Sequence, residues 1–210
     1  MIRILIADDH TVVREGLKQI ISEISDMTVV DEAVNGHEVL TKALKNDYDV
    51  VVLDITMPGI SGLDVLKQIK AQKPGLPILI LSMHSEEQYA VRVLKAGAAG
   101  YFTKAGASEE LIKAIRAASV GRKYITSSLA EKLAFALEID TEKSLHESLS
   151  DREYQVLCII ASGKTVKHIA EELYLSEKTI STYRFRILEK MNMKNNAELT
   201  NYAIKHGLVE

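Results

Sequence analysis

Through the first 121 residues, short apolar and β-branched runs alternate with segments of helical spacing. The runs are Ile2–Ala7, Met27–Ala33, Val50–Leu53, Ile78–Ser82 and Gly100–Thr103. Between them apolar residues recur three and four apart, as in Leu17, Ile20, Ile21 and Ile24, or Val91, Leu94 and Ala98. Val50–Leu53 and Ile78–Leu81 are apolar without alternation, as central parallel strands are when helices cover both faces of a sheet. Five such repeats predict a doubly wound five-stranded α/β domain with its ligand site at the carboxyl ends of the strands. After Val120 and Gly121 the pattern changes. Leu129–Ile139 reads as helical, Asp140–Ser148 is polar without core positions, and residues 122–148 are expected to be a linker. From Ser150 onward there is no strand signal, only four short helical patterns separated by turns. Residues 149–210 are therefore expected to form a small all-helical domain.

Composition adds bounds. The 210 residues are 47% apolar and 26% charged, ordinary for a globular protein with a core. No apolar run approaches the roughly 18 residues of a membrane span, and the N-terminus lacks a basic stretch followed by an apolar one. The expectation is a cytoplasmic protein without membrane contact. Cys158, the single cysteine, lies in an apolar run, which suits a buried core residue and excludes an internal disulfide. The net charge of −3 is uneven. Residues 1–121 hold 13 Lys and Arg against 16 Asp and Glu, whereas residues 149–210 hold 9 against 8. The C-terminal part is the less acidic one, a weak pointer to a polyanionic partner.

The polar residues fall at the strand ends. Asp8 and Asp9 follow the first run, Asp54 the third, Ser82 closes the fourth and Lys104 follows the fifth. In a doubly wound sheet these converge on one edge. An aspartate at a strand end can simply cap the next helix, but five suitable groups at successive strand ends point to chemistry. Clustered carboxylates repel one another unless a divalent cation sits among them, and an oxygen-only set suits Mg²⁺. One carboxylate can then act as nucleophile and form an aspartyl phosphate. A lysine and a hydroxyl would supply the charge compensation that phosphoryl transfer needs.

Asp8 and Asp9, Asp54-x-x-Met57-Pro58, Gly62, Ser82, and Gly100-Tyr101-Phe102-Thr103-Lys104 resemble the receiver domain of bacterial two-component systems. The resemblance implies that Asp54 is the phosphoacceptor. It also implies that Asp8, Asp9, Asp54 and the backbone carbonyl of Thr56 bind Mg²⁺, that Ser82 and Lys104 contact the phosphoryl group, and that Ser82 and Tyr101 form the switch. Ala105 departs from it, standing where many receivers have proline, so no cis X-Pro bond is expected there. His10 and His84 lie near the pocket in sequence and could tune the lifetime of the phosphoryl group or simply face solvent.

The C-terminal domain reads as a helix-turn-helix. Ser150 with Glu153 forms a capping-box signature before a helix with Val156, Leu157 and Ile160 inward and Gly163 at its end. Residues 167–174 form a second helix with Ile169, Ala170 and Leu173 buried. Ser176 caps a third, over residues 177–191, whose stripe is Ile180, Ile187, Leu188 and Met191. Lys178, Ser181, Thr182 and Phe185 share another face, and such a polar face suits a major groove. Arg184, Arg186 and Lys190 could reach flanking phosphates. A solvated helix face is the plainer reading, but the preceding helix, the tight turn and Phe185 on a polar side favour DNA.

Residues 149–203 also resemble the LuxR-type output domain, through Ala161-x-Gly163, Ile169 and Ala170, Leu173, and Ser176 to Ile180, a stretch that includes Thr179. Together the halves resemble the NarL/FixJ family of response regulators. The resemblance implies double-stranded promoter DNA and a sensor histidine kinase as partners, base-facing positions at Ser181, Thr182 and Phe185, a role for Thr179 at the DNA, and a homodimer on phosphorylation. Tyr183 replaces a frequent histidine and Ser181-Thr182 a commoner pair with a basic residue, so a target sequence does not transfer. Val12 and Val13 could supply dimer surface, as could Leu199, Tyr202 and Ala203 unless they close the small core.

Two rival readings are testable on the sequence. An aspartyl-phosphate phosphatase would need a carboxylate two residues after Asp54, where Thr56 stands. A DNA-binding protein whose first domain is only a scaffold would not need the full acidic pocket and Lys104. The chain is therefore not expected to be an enzyme.

Overall fold

The computed structural model describes residues 1–82, 86–104, 108–126, 129–131 and 144–209. The chain divides into two compact units, Met1–Ala130 and Glu131–Glu210. His84, Ala105 and most of the predicted 129–139 helix lie outside the described residues.

In the first unit five strands, β1 (Ile2–Ala7), β2 (Met27–Ala33), β3 (Val50–Asp54), β4 (Ile78–Ser82) and β5 (Gly100–Thr103), form one sheet in the order β2-β1-β3-β4-β5. All pairings are parallel. The helices between and after them are α1 (Thr11–Ser22), α2 (Gly36–Lys45), α3 (Gly62–Gln72), α4 (Glu86–Lys95) and α5 (Ser108–Ser119). Alternation along each strand serves both faces. Ile4, Ile6, Val50, Val52, Leu79 and Leu81 pack on Leu17 and Ile21 of α1 and on Leu111, Ala114, Ile115 and Ala118 of α5. Leu5, Val51, Leu53 and Ile80 point the other way, and Val39, Val65, Leu66 and Ile69 of α2 and α3 are equally buried. Each such side chain contributes about 1.5–3 kcal/mol by leaving water.

The packing continues past residue 121. The Tyr124 ring stacks on Phe102 with centroids 5.4 Å apart, the Tyr124 N–H donates to Ala99 O at 2.7 Å, and Leu129 is buried. This packing explains why the compact unit runs beyond the last strand–helix repeat.

The elements described in the second unit are a 3-10 turn (Leu145–Ser148), α6 (Asp151–Ala161), α7 (Val166–Glu172), α8 (Glu177–Lys190) and α9 (Asn196–Lys205). The capping box is formed: Ser150 Oγ accepts from Glu153 N at 3.3 Å, and Glu153 Oε2 accepts from Ser150 N at 2.8 Å. α6 ends at Ala161, and Gly163 takes φ 82°, where a side chain would be strained. α7 ends at Glu172, two residues short of the predicted end, because Tyr174 adopts a left-handed φ of 53°. Leu188 is only half-buried, so the inner stripe of α8 is Ile180 and Ile187, with Met191 just past its end. Leu199 and Ala203 are fully buried, so they close the core of this unit and are not open for pairing chains. Among the described residues no helix is long and apolar enough to cross a membrane.

Candidate functional site

The carboxyl edge of the sheet gathers the residues singled out in the sequence. Asp8 leaves β1, Asp54 closes β3, Ser82 closes β4, and Lys104 follows β5. Register brings them side by side: Asp54 pairs with Leu81 and Ser82 with Thr103. Asp8, Asp54 and Ser82 are each at most 2% exposed. Lys104 Nζ forms an ion pair with Asp8 Oδ2 at 2.7 Å and donates to Asp54 Oδ2 at 2.8 Å. The other oxygen of Asp54, Oδ1, accepts from the Thr56 N–H at 3.1 Å. Tyr101 is buried opposite Ile80 in the sheet.

His10, expected near the pocket, and Arg14, which the sequence analysis did not single out, complete it. The His10 N–H donates to Asp8 Oδ1 at 2.8 Å, and its ring Nδ1 lies 2.9 Å from Asp9 Oδ1 and 3.3 Å from Asp8 Oδ1. Arg14, a buried arginine on α1, donates from NH1 to the carbonyl of Asp8 at 2.9 Å and from Nε to Glu32 at 3.1 Å. The Asp8 N–H in turn donates to Ala33 O at 3.1 Å. The main chain of Asp8 is thus held from both sides, and Arg14 fastens the β1–α1 loop to the end of β2. The sequence carried one signal for Arg14, a charge on the inner face of a helix near Leu17 and Ile21. Such residues are rarely buried without a partner.

Charge dominates the pocket. Burial pushes Asp54 up to about 6; the Lys104 ammonium pulls it down and the Asp8 carboxylate pushes it up. Burial works against the charge on Lys104, yet Asp54 and Asp8 hold its pKa above the usual lysine value. One ammonium pairs with two carboxylates, and a third, Asp9, adjoins them. Among the described residues, Asp8, Asp9, His10 and Asp54 can each present one ligand atom, all within 4.8 Å of one another. A divalent cation fits this donor set, since it supplies the charge that Lys104 alone does not.

The second candidate site is α8. Lys178, Ser181, Thr182, Phe185 and Arg186 are exposed, Phe185 to 65%. Thr182 Oγ1 donates back to Lys178 O at 2.9 Å, which leaves its hydroxyl as an acceptor toward a groove. Three expected DNA contacts also have partners within the domain. Lys190 Nζ lies 2.6 Å from Glu153 Oε2, the carboxylate that closes the capping box of α6. It ties α8 to α6 while its side chain stays 42% exposed. The cause is Glu153, which is 3% exposed and needs a cation. Arg184 Nε donates to Asn196 Oδ1 at 2.6 Å, and the Thr179 hydroxyl meets Ser176 Oγ at 2.8 Å in the N-terminal cap of α8.

The sequence matches the family described as "Response regulator receiver domain" over residues 4–116 and "Bacterial regulatory proteins, luxR family" over residues 147–203. It is similar to the response regulator UvrY of Escherichia coli K12, 39% identical over 209 residues that cover 99% of this chain and 96% of that one. It is also similar to the response regulator GacA of Pseudomonas protegens, 37% identical over 210 residues, 100% of this chain and 99% of that one. A solved structure of RcsB from Salmonella enterica serovar Typhimurium, bound to promoter P1flhDC in the presence of the phosphomimetic BeF3−, has a TM-score of 0.65 at 31% identity. It covers 96% of this chain and 97% of that chain.

Proposed function

The chain belongs to the two-component response regulators, a receiver domain followed by a LuxR-type DNA-binding domain, and we propose that phosphorylation of Asp54 controls its binding to promoter DNA. It is a transcriptional regulator and not an enzyme. One observation carries the assignment of Asp54: a nearly buried carboxylate at the end of β3, with one oxygen on Lys104 and a second carboxylate across that ammonium.

Asp54 attacks the phosphorus of a sensor kinase phosphohistidine or a small phosphodonor: an Oδ–P bond forms as the P–N bond to the histidine, or the P–O or P–N bond to the small donor, breaks, and the bonding pair leaves on the imidazole or the donor group. Asp8, Asp9, Asp54 and the Thr56 carbonyl would hold Mg²⁺, which would supply positive charge for the phosphoryl oxygens. Lys104 stabilises the transferred group, and the Ser82 hydroxyl, at the end of the neighbouring strand, accompanies it. Movement of Ser82 and Tyr101 biases a two-state surface on the receiver. The receiver is placed at residues 1–121, with Tyr124 and Leu129 packed onto it, a linker reaching to residue 148, and the output domain at 149–210. The protein acts in the cytoplasm, and phosphorylation pairs two chains so that two α8 helices reach half-sites about one DNA turn apart. Val12, 85% exposed at the start of α1, is available surface for that pairing.

Intact mass after treatment with a small phosphodonor and Mg²⁺ should show one adduct on the wild type and none on Asp54→Asn. An adduct of equal size on the variant would overturn the assignment.

On DNA, Thr182→Ala or Phe185→Ala should weaken binding to the specific site about tenfold or more and to random DNA far less, because base contacts discriminate. Arg186→Ala should weaken both about equally, since phosphate contacts carry no sequence information. Lys190→Ala is expected to lower the stability of the output domain by freeing Glu153. Titrations at one salt concentration, with a thermal melt of each variant, separate these effects. Equal losses on both DNAs for Phe185→Ala would assign that ring to packing.

A further inference from the structure

We propose that Lys70 is a modification site, whose side-chain amine takes an acyl group from small acyl phosphates. The site is separate from the aspartate pocket and does not depend on phosphorylation of Asp54. Lys70 lies in the last turn of α3, and its amine reaches the loop that enters β4, at the end of that strand away from Ser82.

Main chain alone holds this side chain. Nζ donates to Pro74 O at 3.2 Å and to Leu76 O at 2.7 Å. The stem lies over Gly97 in the loop before β5, where an added Cβ would stand 3.4 Å from Cγ and 3.7 Å from Cε of Lys70. Among the described residues no carboxylate pairs with it. Other partly buried lysines differ: Lys18 meets Glu15 and Glu32, and Lys104 meets Asp8 and Asp54, so carboxylates keep both charged. Lys70 has a second cation, Lys123, as its charged neighbour. Burial first, and the Lys123 ammonium next, hold its pKa below the usual lysine value.

A neutral amine has two N–H groups and one lone pair. The two carbonyls satisfy those two N–H groups, so loss of the third proton frees a lone pair and breaks neither bond. Desolvation and a neighbouring cation are the two ways in which a lysine becomes a nucleophile near neutral pH.

Lys123 also selects the donor. It is exposed beside the amine and favours an anionic reagent, and an acyl phosphate carries its charge on the group that leaves. Nζ attacks the acyl carbonyl carbon. The C–N bond forms, the C–O bond to phosphate breaks, and the bonding pair leaves on the phosphate, which also takes one of the two amine protons. The amide product keeps a single N–H, so one of the two carbonyls loses its donor. Asp54 and Lys70 would thus attack different atoms of one reagent, phosphorus in the first case and carbonyl carbon in the second.

The test uses the full-length protein, treated with acetyl phosphate and read by peptide mass mapping. Acetylation of Lys70 is expected to run at least about threefold faster than that of the exposed Lys45 and Lys194, and to level off at lower pH. In denaturant the preference should vanish, because it comes from the fold. Lys123→Glu places a carboxylate beside the amine and should slow acetylation of Lys70 at least about threefold, with Lys123→Gln slowing it less. Asp54→Asn should be acetylated at Lys70 as fast as the wild type, so failure of the phosphorylation reading and failure of this one are seen separately. Acetylation of Lys70 no faster than that of Lys45 and Lys194 overturns the proposal. An unchanged rate in Lys123→Glu overturns the part given to Lys123. A preference for Lys70 that is equally strong with N-acetylimidazole, which carries no phosphate, overturns the choice of acyl phosphates as the donor class.

Discussion

Gly62→Ala is expected to destabilise the receiver by about 2–4 kcal/mol and to lower phosphodonor labelling of Asp54 at least about tenfold. A Cβ at Gly62 would lie 2.2 Å from the carbonyl oxygen of Asp54 and 2.6 Å from Ile55 Cα. Both neighbours are main chain, so no rotamer change can make room. The N–H of Gly62 already donates to Ile55 O at 3.0 Å, and Ser61 Oγ caps α3 by accepting from Asp64 N at 3.2 Å. The start of α3 is therefore pinned against the end of β3, and a methyl group must either lift the helix or shift Asp54. Overpacking of this kind typically costs 1–3 kcal/mol, more where main chain must move. The shift falls directly on the residue whose two oxygens meet Lys104 and the Thr56 N–H. Gly16→Ala is the contrasting case: Gly16 lies within α1 with no atom within 4 Å of the added Cβ. That change should raise stability by roughly 0.5–1 kcal/mol, since glycine is a poor helix former. Hydrogen exchange of the β1 and β3 amides, with mass analysis of labelling, reads both variants. Equal behaviour of the two would show that the α3 start is compliant.

Period and position made the receiver legible. Residues that read as uninterrupted apolar runs became central strands because both faces of the sheet are covered, and the acidic residues at the run ends met at one edge because parallel strands all point the same way. Asp54 itself is strand, one residue beyond the predicted run, since it still stands in register with Leu81 of β4. What the sequence hid depends on the third dimension. Arg14 stands 40 residues from Asp54 and only the fold brings it to the pocket, whereas His10, next to Asp9 in the chain, was already legible as a neighbour of the pocket. Lys190 read as a free cation on a polar helix face because its partner, Glu153, sits on α6, 37 residues away. The stripe of Leu199 and Ala203 had two readings, and packing of the last helix onto the small core selects the inward one.

The charge of the acidic pocket should appear as a stability difference between wild type and Asp54→Asn that depends on both pH and Mg²⁺. Asp54 has a pKa of about 6 in the folded protein, against an ordinary value of 3.8, because burial disfavours its anion. Between these values the folded chain holds more protons than the unfolded one, so the contribution of Asp54 to stability falls as pH rises from about 4 through 6. Two pKa steps correspond to about 3 kcal/mol at most, and Lys104 and nearby groups share that linkage, so about 1–3 kcal/mol is expected. Asparagine carries no charge at either pH. Asp54→Asn should therefore match the wild type near pH 4 and exceed it by about 1–3 kcal/mol at pH 7.5 without divalent cations. Millimolar Mg²⁺ should then stabilise the wild type more than the variant, since the variant lacks one of the three carboxylates that neutralise the ion. Denaturant-dependent hydrogen exchange of the β3 amides reports the receiver separately from the output domain, where a single melt would merge two transitions. A variant less stable than the wild type at pH 7.5 without metal would mean that the Lys104 pair outweighs the desolvation of Asp54. The pocket would then be a structural ion-pair cluster, and its charge would not be held in reserve for a cation and a phosphoryl group.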